Sequence, residues 1–464
     1  MNWFSKLFGR HVDEQISEFD PAAQDFADGD APSGNGAAVP PVIVAPAARK
    51  STHSLPRFST GGQARGVPAA QADRMRKLRA AFTPSHPISD ASLFAGRREL
   101  LLRLIHLIED QKLHVVLYGD RGIGKTSVLR VLSSLAREAH YNVMYASCGS
   151  DTDFDSLFRS IARDVPLLYH ADYEPTHEEV EAGGVFADLL PDRPITVADL
   201  TTLFEGVRGT QLLIIIDEFD RVESNRMREQ VAELIKNLSD RGVSVQCLIA
   251  GVASNLTALV SHIPSIRRNL IGLPIGPLGE AEVRDVIRNA ALRSNISFSD
   301  SAEAMMVRFS TGLPYLAQLL GLHASLLAVR ADRDEVSEED VLGAVGHAVD
   351  EIRLRISPRG ARITEAVAGQ VGWERLGELA RRALLQVGDL SDEDIAGLDE
   401  RSRTELLVRF VDDESTRWSF AEEAVIPFIW LNARLAEATP ARDAASRAFQ
   451  QLERASAGPG GAKG

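Results

Sequence analysis

Four residues in two separate segments of the sequence could together bind a nucleoside triphosphate and a divalent cation. Lys125 and Thr126 end a segment, GDRGIGKT, that fits the phosphate-binding pattern G-x-x-x-x-G-K-[ST]. Asp217 and Glu218 directly follow the apolar run 212–216. An ammonium group binds phosphate, a hydroxyl and a carboxylate suit Mg²⁺, and a second carboxylate can accept a proton from water. These residue types predict ATP and Mg²⁺ as ligands.

The loop that ends in Lys125 has the composition of a phosphate cradle. Its glycines let successive N–H groups turn towards phosphate oxygens, and the helical pattern that follows adds a positive N-terminal dipole. Lys125 would reach the β- and γ-phosphates, and the Thr126 hydroxyl would take one Mg²⁺ position. We expect nucleotide contacts from the whole run: Gly119, Asp120, Arg121, Gly122, Ile123, Gly124, Lys125, Thr126 and Ser127.

The second pair of residues stands at the end of a predicted buried strand. Residues 212–216 are all apolar, as are most of residues 113–118 before the loop, so both segments read as strands of one parallel sheet. At the carboxyl end of its strand, Asp217 would hold the Mg²⁺ hydration shell. Glu218 would face the same crevice and act as general base towards the attacking water.

Four further residues have two possible roles each. At the tip of a strand over 243–250, Ser254 or Asn255 could sense the γ-phosphate or could cap the next helix. Arg268 could act as a finger on a neighbouring subunit's nucleotide or could be a solvated surface residue, and Arg267 is the weaker candidate for that role.

The elements that must position these residues predict an α/β P-loop fold with about five parallel strands. At 464 residues, the chain is longer than one core supports. We divide it into a short amphipathic segment (1–19), a disordered linker (20–75), an α/β core (76–278), a helical lid (279–356), a winged-helix-like region (357–436) and a flexible tail (437–464).

The winged-helix interpretation rests on helices followed by a hairpin. Helical patterns cover 363–371, 375–387 and 392–398, and two strands over 406–411 and 416–420 flank an acidic turn. Acidic residues outnumber basic ones in this region, so we expect it to pack against protein rather than to neutralise DNA phosphates.

Composition excludes several classes of protein. The net charge of −14 speaks against a nucleic-acid coat protein. The two cysteines, Cys148 and Cys247, give no disulfide framework and suit a reducing cytoplasm. No run of 18 apolar residues predicts a membrane span, although residues 1–19 could make weak peripheral membrane contact or dock on a partner.

With these motifs in hand, residues 85–435 resemble the AAA+ and STAND ATPases, in the bacterial and archaeal branch near the origin-recognition ATPases. The resemblance implies a strand order of 5-1-4-3-2, and it implies that Phe94, Gly96 and Arg97 pack near the adenine and ribose. It places Arg268 at the arginine-finger position, which implies a possible homo-oligomer.

The sequence departs from origin-recognition proteins at the second sensor. Their arginine aligns with Tyr315, so the lid could read the nucleotide through Pro314, as STAND switches do. Two functions follow: an ATP-hydrolysing switch that assembles or remodels an unidentified protein partner, or a DNA-binding ATPase that uses the winged helix. Net charge favours the switch.

Overall fold

Five parallel strands form the central sheet of the computed structural model, which describes residues 68–88, 94–172, 183–252, 270–385, 390–412 and 415–438. In chain order the strands are β1 (His114–Tyr118), β2 (Asn142–Ser147), β3 (Leu212–Asp217), β4 (Val245–Gly251) and β5 (Leu270–Pro274). Their spatial order is β2-β3-β4-β1-β5, as the family resemblance implied, and all neighbouring pairs are parallel. The carboxyl ends of β1 and β3 therefore lie on either side of β4, at one edge of the sheet.

The two faces of the sheet are covered by different helices. The helices before the lid are α1 (Ala69–Ala81), α2 (Arg98–Ile105), α3 (Lys125–Glu138), α4 (Phe154–Arg163), α5 (Val197–Glu205) and α6 (Asn225–Asp240), of which α2 to α6 cover the sheet. Along β3, Leu213 and Ile215 share a core with α2 and α3, whereas Ile214 and Ile216 share a core with α4, α5 and α6. This alternation explains why β3 is apolar throughout, because both of its faces are buried.

Four helices form the lid, α7 (Glu280–Ser294), α8 (Asp300–Ser310), α9 (Pro314–Arg330) and α10 (Glu338–Arg353), with two short paired strands, β6 (Ser297–Phe298) and β7 (Glu335–Val336). Helix α1 packs against this lid. The side-chain amide of Gln71 donates to the carbonyl of Val329 at 2.7 Å. Phe82 lies so close to Gly321 that a Cβ there would fall 2.4 Å from its ring. The chain is therefore helical from Ala69 onwards, inside the stretch 20–75 that the sequence predicted as linker.

The C-terminal region contains α11 (Pro358–Val371), α12 (Trp373–Leu385), α13 (Glu400–Leu406) and an antiparallel hairpin of β8 (Leu407–Asp412) and β9 (Ser415–Phe420). Residues 425–438 are helical and hold the region to the lid, because the indole N–H of Trp430 donates to the carbonyl of Phe309 at 2.7 Å. The hairpin lies where the sequence predicted it. The winged-helix interpretation of the whole region stays a prediction.

The helix predicted at 392–398 is wrong, because these residues form turns. The backbone of Leu390 pairs with that of Trp418 in both directions, at 2.7 and 2.9 Å, which holds the chain extended at this point. The Asp394 carboxylate accepts the backbone N–H of Ser391 at 2.9 Å and the Ser391 hydroxyl accepts that of Asp394 at 3.2 Å, a capping pair that is followed here by turns alone. The helix in this part of the chain is α13, which begins only at Glu400.

Neither cysteine forms a disulfide. Cys148 and Cys247 are both buried, and burial raises the pKa of each thiol to about 12. No helix among the described residues combines the length and the apolarity that crossing a bilayer requires.

Candidate active site

The loop between β1 and α3 depends on glycine for two reasons. A Cβ at Gly119 would lie 2.3 Å from the carbonyl oxygen of Ile275, so only glycine fits at the end of β1. Gly122 and Gly124 have φ angles of 75° and 97°, which side chains with a Cβ rarely adopt. The spacing of the three glycines in the sequence therefore reflects one close approach and two left-handed turns.

Helix α3 leaves its first N–H groups free of helical bonds. The backbone N–H of Val128 donates to the carbonyl of Gly124 at 3.1 Å, so the N–H groups of Lys125, Thr126 and Ser127 come before the first turn closes. Groups in this position bind anions, because the helix dipole adds positive potential at the same end. The loop and the helix start thus fit the phosphates of a nucleotide.

Lys125 is buried inside this loop, with 9% of its surface exposed. Its ammonium donates to the carbonyls of Gly119 at 2.8 Å and Asp120 at 2.7 Å. Burial lowers the pKa of Lys125, and the carboxylates of Asp220, Asp120 and Asp217 oppose that shift. A cation held in the centre of the loop, close to its backbone, is well placed for phosphate oxygens.

Thr126 and Asp217 are joined directly, which the sequence could only suggest. The Thr126 hydroxyl donates to Oδ2 of Asp217 at 2.8 Å, and the backbone N–H of Glu218 donates to Oδ1 at 2.8 Å. Because the Thr126 hydroxyl donates its hydrogen to the bond with Asp217, the lone pairs of its oxygen remain available to a cation. Within the described residues no cluster of three acidic, histidine or cysteine side chains could hold a metal alone. A hydroxyl beside one carboxylate instead fits Mg²⁺, which is usually held by few protein ligands together with substrate phosphates.

Glu218 stands at the same edge of the sheet but has partners of its own. Its backbone is left-handed, with φ at 55°, and this turns the side chain across the end of β2. There Oε2 accepts the hydroxyl of Ser147 at 3.2 Å and the guanidinium of Arg221 at 2.9 Å. The candidate base is therefore held by two donors beside the crevice.

Arg97 links the loop to the lid. Only 8% of its surface is exposed, and its guanidinium donates to the carbonyls of Ile123 at 3.1 Å and Gly276 at 2.6 Å. Its backbone N–H donates to Glu282 in the first turn of α7 at 2.5 Å. Burial lowers the pKa of Arg97, and the Glu282 carboxylate opposes that shift. Glycine is favoured at the preceding position, Gly96, because its φ is 75° and a Cβ would lie only 3.1 Å from the Cβ of Glu282.

Other predicted nucleotide contacts lie around the loop. Pro314 begins α9 and approaches the loop closely, since its Cγ lies 3.6 Å from where a Cβ of Gly124 would be. The Ser127 hydroxyl accepts the N–H of Ile88 at 3.2 Å. Arg121 is exposed and forms an ion pair with Glu423 of the C-terminal region at 3.3 Å. Phe94 is half-buried against the shared core.

Four candidate residues lie outside the described residues: Ser254, Asn255, Arg267 and Arg268. The description of this part of the chain stops after β4, at Val252. There the backbone N–H of Val252 donates to Asp220 at 2.9 Å, which joins the end of β4 to the turn after Glu218. The roles of these four residues stay predictions.

The sequence profile of one protein family, described as Novel STAND NTPase 1, matches residues 80–351. That is more than half of the chain, and it includes the loop, the acidic strand end and the lid. The chain belongs to this family. It is a nucleotide-dependent P-loop ATPase, as the motifs and the resemblance indicated.

Solved structures of AAA+ proteins are similar to this STAND NTPase at low identity. The RuvB Holliday junction branch migration motor of Thermotoga maritima is 16% identical, with a TM-score of 0.38, over 72% of this chain and 95% of that one. Cdc6p from Pyrobaculum aerophilum is 16% identical, with a TM-score of 0.43, over 77% and 98%. The Aeropyrum pernix ORC1 protein, solved in complex with DNA, is 15% identical, with a TM-score of 0.39, over 76% and 95%. No curated protein sequence matches the chain significantly.

Sequence reasoning missed four residues of the STAND NTPase site: Tyr145, Ser147, Arg221 and Glu282. Ser147 ends β2 and pairs in register with Asp217, so the implied strand order could have pointed to it. Arg221 is three residues after Glu218, a common spacing for a local ion pair. Tyr145 and Glu282 carry no such signal, because each reaches its partner only through tertiary packing.

Proposed function

We propose that this STAND NTPase is an ATP-driven switch that couples its nucleotide state to the assembly or remodelling of a protein partner. The observation that supports it most is the position of Arg97, whose guanidinium bonds the loop at Ile123 while its backbone bonds the lid at Glu282. If the phosphate loop shifts when the γ-phosphate is lost, Arg97 would shift with it. The bond between Arg97 and Glu282 would then transmit that shift to the lid. Coupling of this kind needs an element that contacts both parts directly.

The residues divide the work of ATP hydrolysis among them. The loop N–H groups and Lys125 bind the phosphates, and Thr126 and Asp217 would hold Mg²⁺. When bound, Mg²⁺ supplies positive charge that neutralises the phosphate oxygens. Glu218 accepts a proton from the attacking water, for which Oε1 is suited because both bound donors are on Oε2. Phe94 and Gly96 would line the nucleoside, in keeping with the family resemblance.

A protein partner fits the charge of the C-terminal region better than DNA does. Residues 357–436 carry more acidic than basic side chains, and the acidic stretch 412–414 lies between the two predicted strands in the sequence. Binding to DNA depends strongly on Lys and Arg contacts to phosphate, and the excess of acidic side chains in this region opposes such contacts.

We expect ATP and ADP to change the protection of the lid from hydrogen exchange. In the full chain carrying Glu218→Gln, residues 279–356 should exchange roughly tenfold more slowly with Mg-ATP than with ADP, about 1.4 kcal/mol of local stability. Adding Arg97→Met should abolish that difference and leave ATP bound, because methionine has no side-chain N–H to donate to the carbonyls of Ile123 and Gly276. The neighbouring, exposed Arg98→Met is the matched control. Equal exchange of the lid in ATP and ADP would contradict the switch.

We further propose that Arg268 completes the site of a neighbouring copy. An Arg268→Ala protomer and a Glu218→Gln protomer, each inactive alone, should recover part of the hydrolysis when mixed, because one interface then pairs both intact residues. Phosphate release by the mixture measures this, with light scattering to follow assembly. A silent mixture in which only ATP-bound monomers are present would show that Arg268 does not act between subunits.

A further inference from the structure

A tyrosine with no assigned role shares the Asp217 carboxylate with Thr126. The Tyr145 hydroxyl donates to Oδ2 of Asp217 at 2.6 Å, and Thr126 donates to the same oxygen at 2.8 Å. With the N–H of Glu218 on Oδ1, the carboxylate accepts three hydrogen bonds. Two of these donors belong to the motifs themselves, whereas Tyr145 comes from the neighbouring strand.

The position of the Tyr145 side chain is defined by its strand and by a contact with α3. It lies on β2, in register with Ile215 of β3, so its side chain must lean two residues along the sheet to reach Asp217. The guanidinium of Arg130, on α3, covers its ring at 5.1 Å from the centroid. Contacts of this kind are favourable between a cation and an aromatic face. The ring therefore bridges the helix that starts at the phosphate loop and the strand that ends at Asp217.

The tyrosine hydroxyl is an O–H donor at neutral pH, because a phenol ordinarily loses its proton only at about pH 10. Its partner Asp217 is 3% exposed, so water cannot readily replace a lost donor.

We propose that Tyr145 is a positioning residue for Mg²⁺, acting through Asp217. By holding Oδ2 next to Thr126, it keeps the carboxylate in the single orientation in which the threonine hydroxyl and the carboxylate face one cation together. It touches neither nucleotide nor metal. The inference rests on the proposed ATP and Mg²⁺ site, and it adds a residue on which the metal dependence of that site relies.

The test is Tyr145→Phe in the full chain, which removes one oxygen and keeps the ring under Arg130. Calorimetric titration with ATP in EDTA should give wild-type affinity, because the phosphate loop is untouched. The concentration of Mg²⁺ that half-saturates ATP binding and hydrolysis should rise about tenfold, the loss expected from one hydrogen bond to a charged group. The maximal rate at saturating Mg²⁺ should stay within about twofold. Tyr141→Phe, at the residue directly before β2, is the matched control.

The possible outcomes separate the inference from the function on which it rests. Unchanged Mg²⁺ dependence in Tyr145→Phe would overturn the positioning role. Equal loss of ATP affinity with and without Mg²⁺ would also overturn it, since that result marks a purely structural residue. If the wild-type chain bound no ATP in either condition, the proposed function itself would fail, whatever Tyr145 does.

Discussion

Replacing Lys125 with alanine is expected to weaken ATP binding by at least about a hundredfold while the protein stays folded. The ammonium stands in the centre of the phosphate loop, and two charge-assisted hydrogen bonds to phosphate contribute about 1.5 kcal/mol each. The fold should tolerate the change. Because burial lowers the pKa of Lys125, the charged form is disfavoured at this position, and its removal relieves that cost.

Isothermal titration calorimetry with ATP measures the loss, and thermal unfolding reports on the fold. Lys236→Ala is a suitable control, because this lysine lies in the second half of α6, which leads away from the nucleotide edge of the sheet towards the start of β4. Wild-type ATP affinity in Lys125→Ala would remove this lysine, and with it the loop, from the binding site.

Changing Glu218 to glutamine should separate binding from hydrolysis. The amide keeps the size of the side chain and cannot accept a proton from water, so the rate of ATP hydrolysis should fall on the order of a thousandfold. ATP affinity in the presence of Mg²⁺ should stay close to wild type, since Glu218 contacts neither Lys125 nor Thr126 in the structure. Asp217→Asn should behave differently: its first effect should be on Mg²⁺ binding, so that ATP binding and hydrolysis lose their dependence on Mg²⁺.

Arg221 provides an informative comparison for this result. Its guanidinium bonds the Glu218 carboxylate, and both groups are about half-exposed, so the pair contributes little to stability. Arg221→Gln should therefore stay folded, and because it removes one donor from the Glu218 carboxylate it should hydrolyse ATP at least as fast as wild type. If Glu218→Gln turned over ATP at the parental rate, the base would have to be another residue.

The sequence was sufficient for the parts of the site that are continuous in the chain. Lys125 and Thr126 follow one another in a loop whose glycines are required locally, and Asp217 follows a strand that is apolar because both its faces are buried. The parallel sheet then brings the two segments to one edge. The family resemblance supplied the strand order, which neither composition nor periodicity contains.

What could not be predicted depends on contacts between distant segments. The sequence predicts the first half of helix α1, residues 69–75, as part of the linker, yet the helix is continuous to Ala81 and Phe82 after it packs on Gly321 of the lid. The stretch 392–398 has a helical pattern, but the pairing of Leu390 with Trp418 overrides it. In the sequence, Tyr145 has no feature that distinguishes it from other strand residues. Its contacts with Asp217 and Arg130 arise only when β3 and α3 pack beside it.

The central claim is that the crevice at the ends of β1 and β3 binds and hydrolyses ATP. The most direct measurement is phosphate release from ATP by the purified full chain, compared with Lys125→Ala and Glu218→Gln proteins prepared identically. Our account predicts Mg²⁺-dependent release by the wild type and release at the background rate by both variants, with ATP still bound only by Glu218→Gln. Equal phosphate release by all three proteins would contradict it.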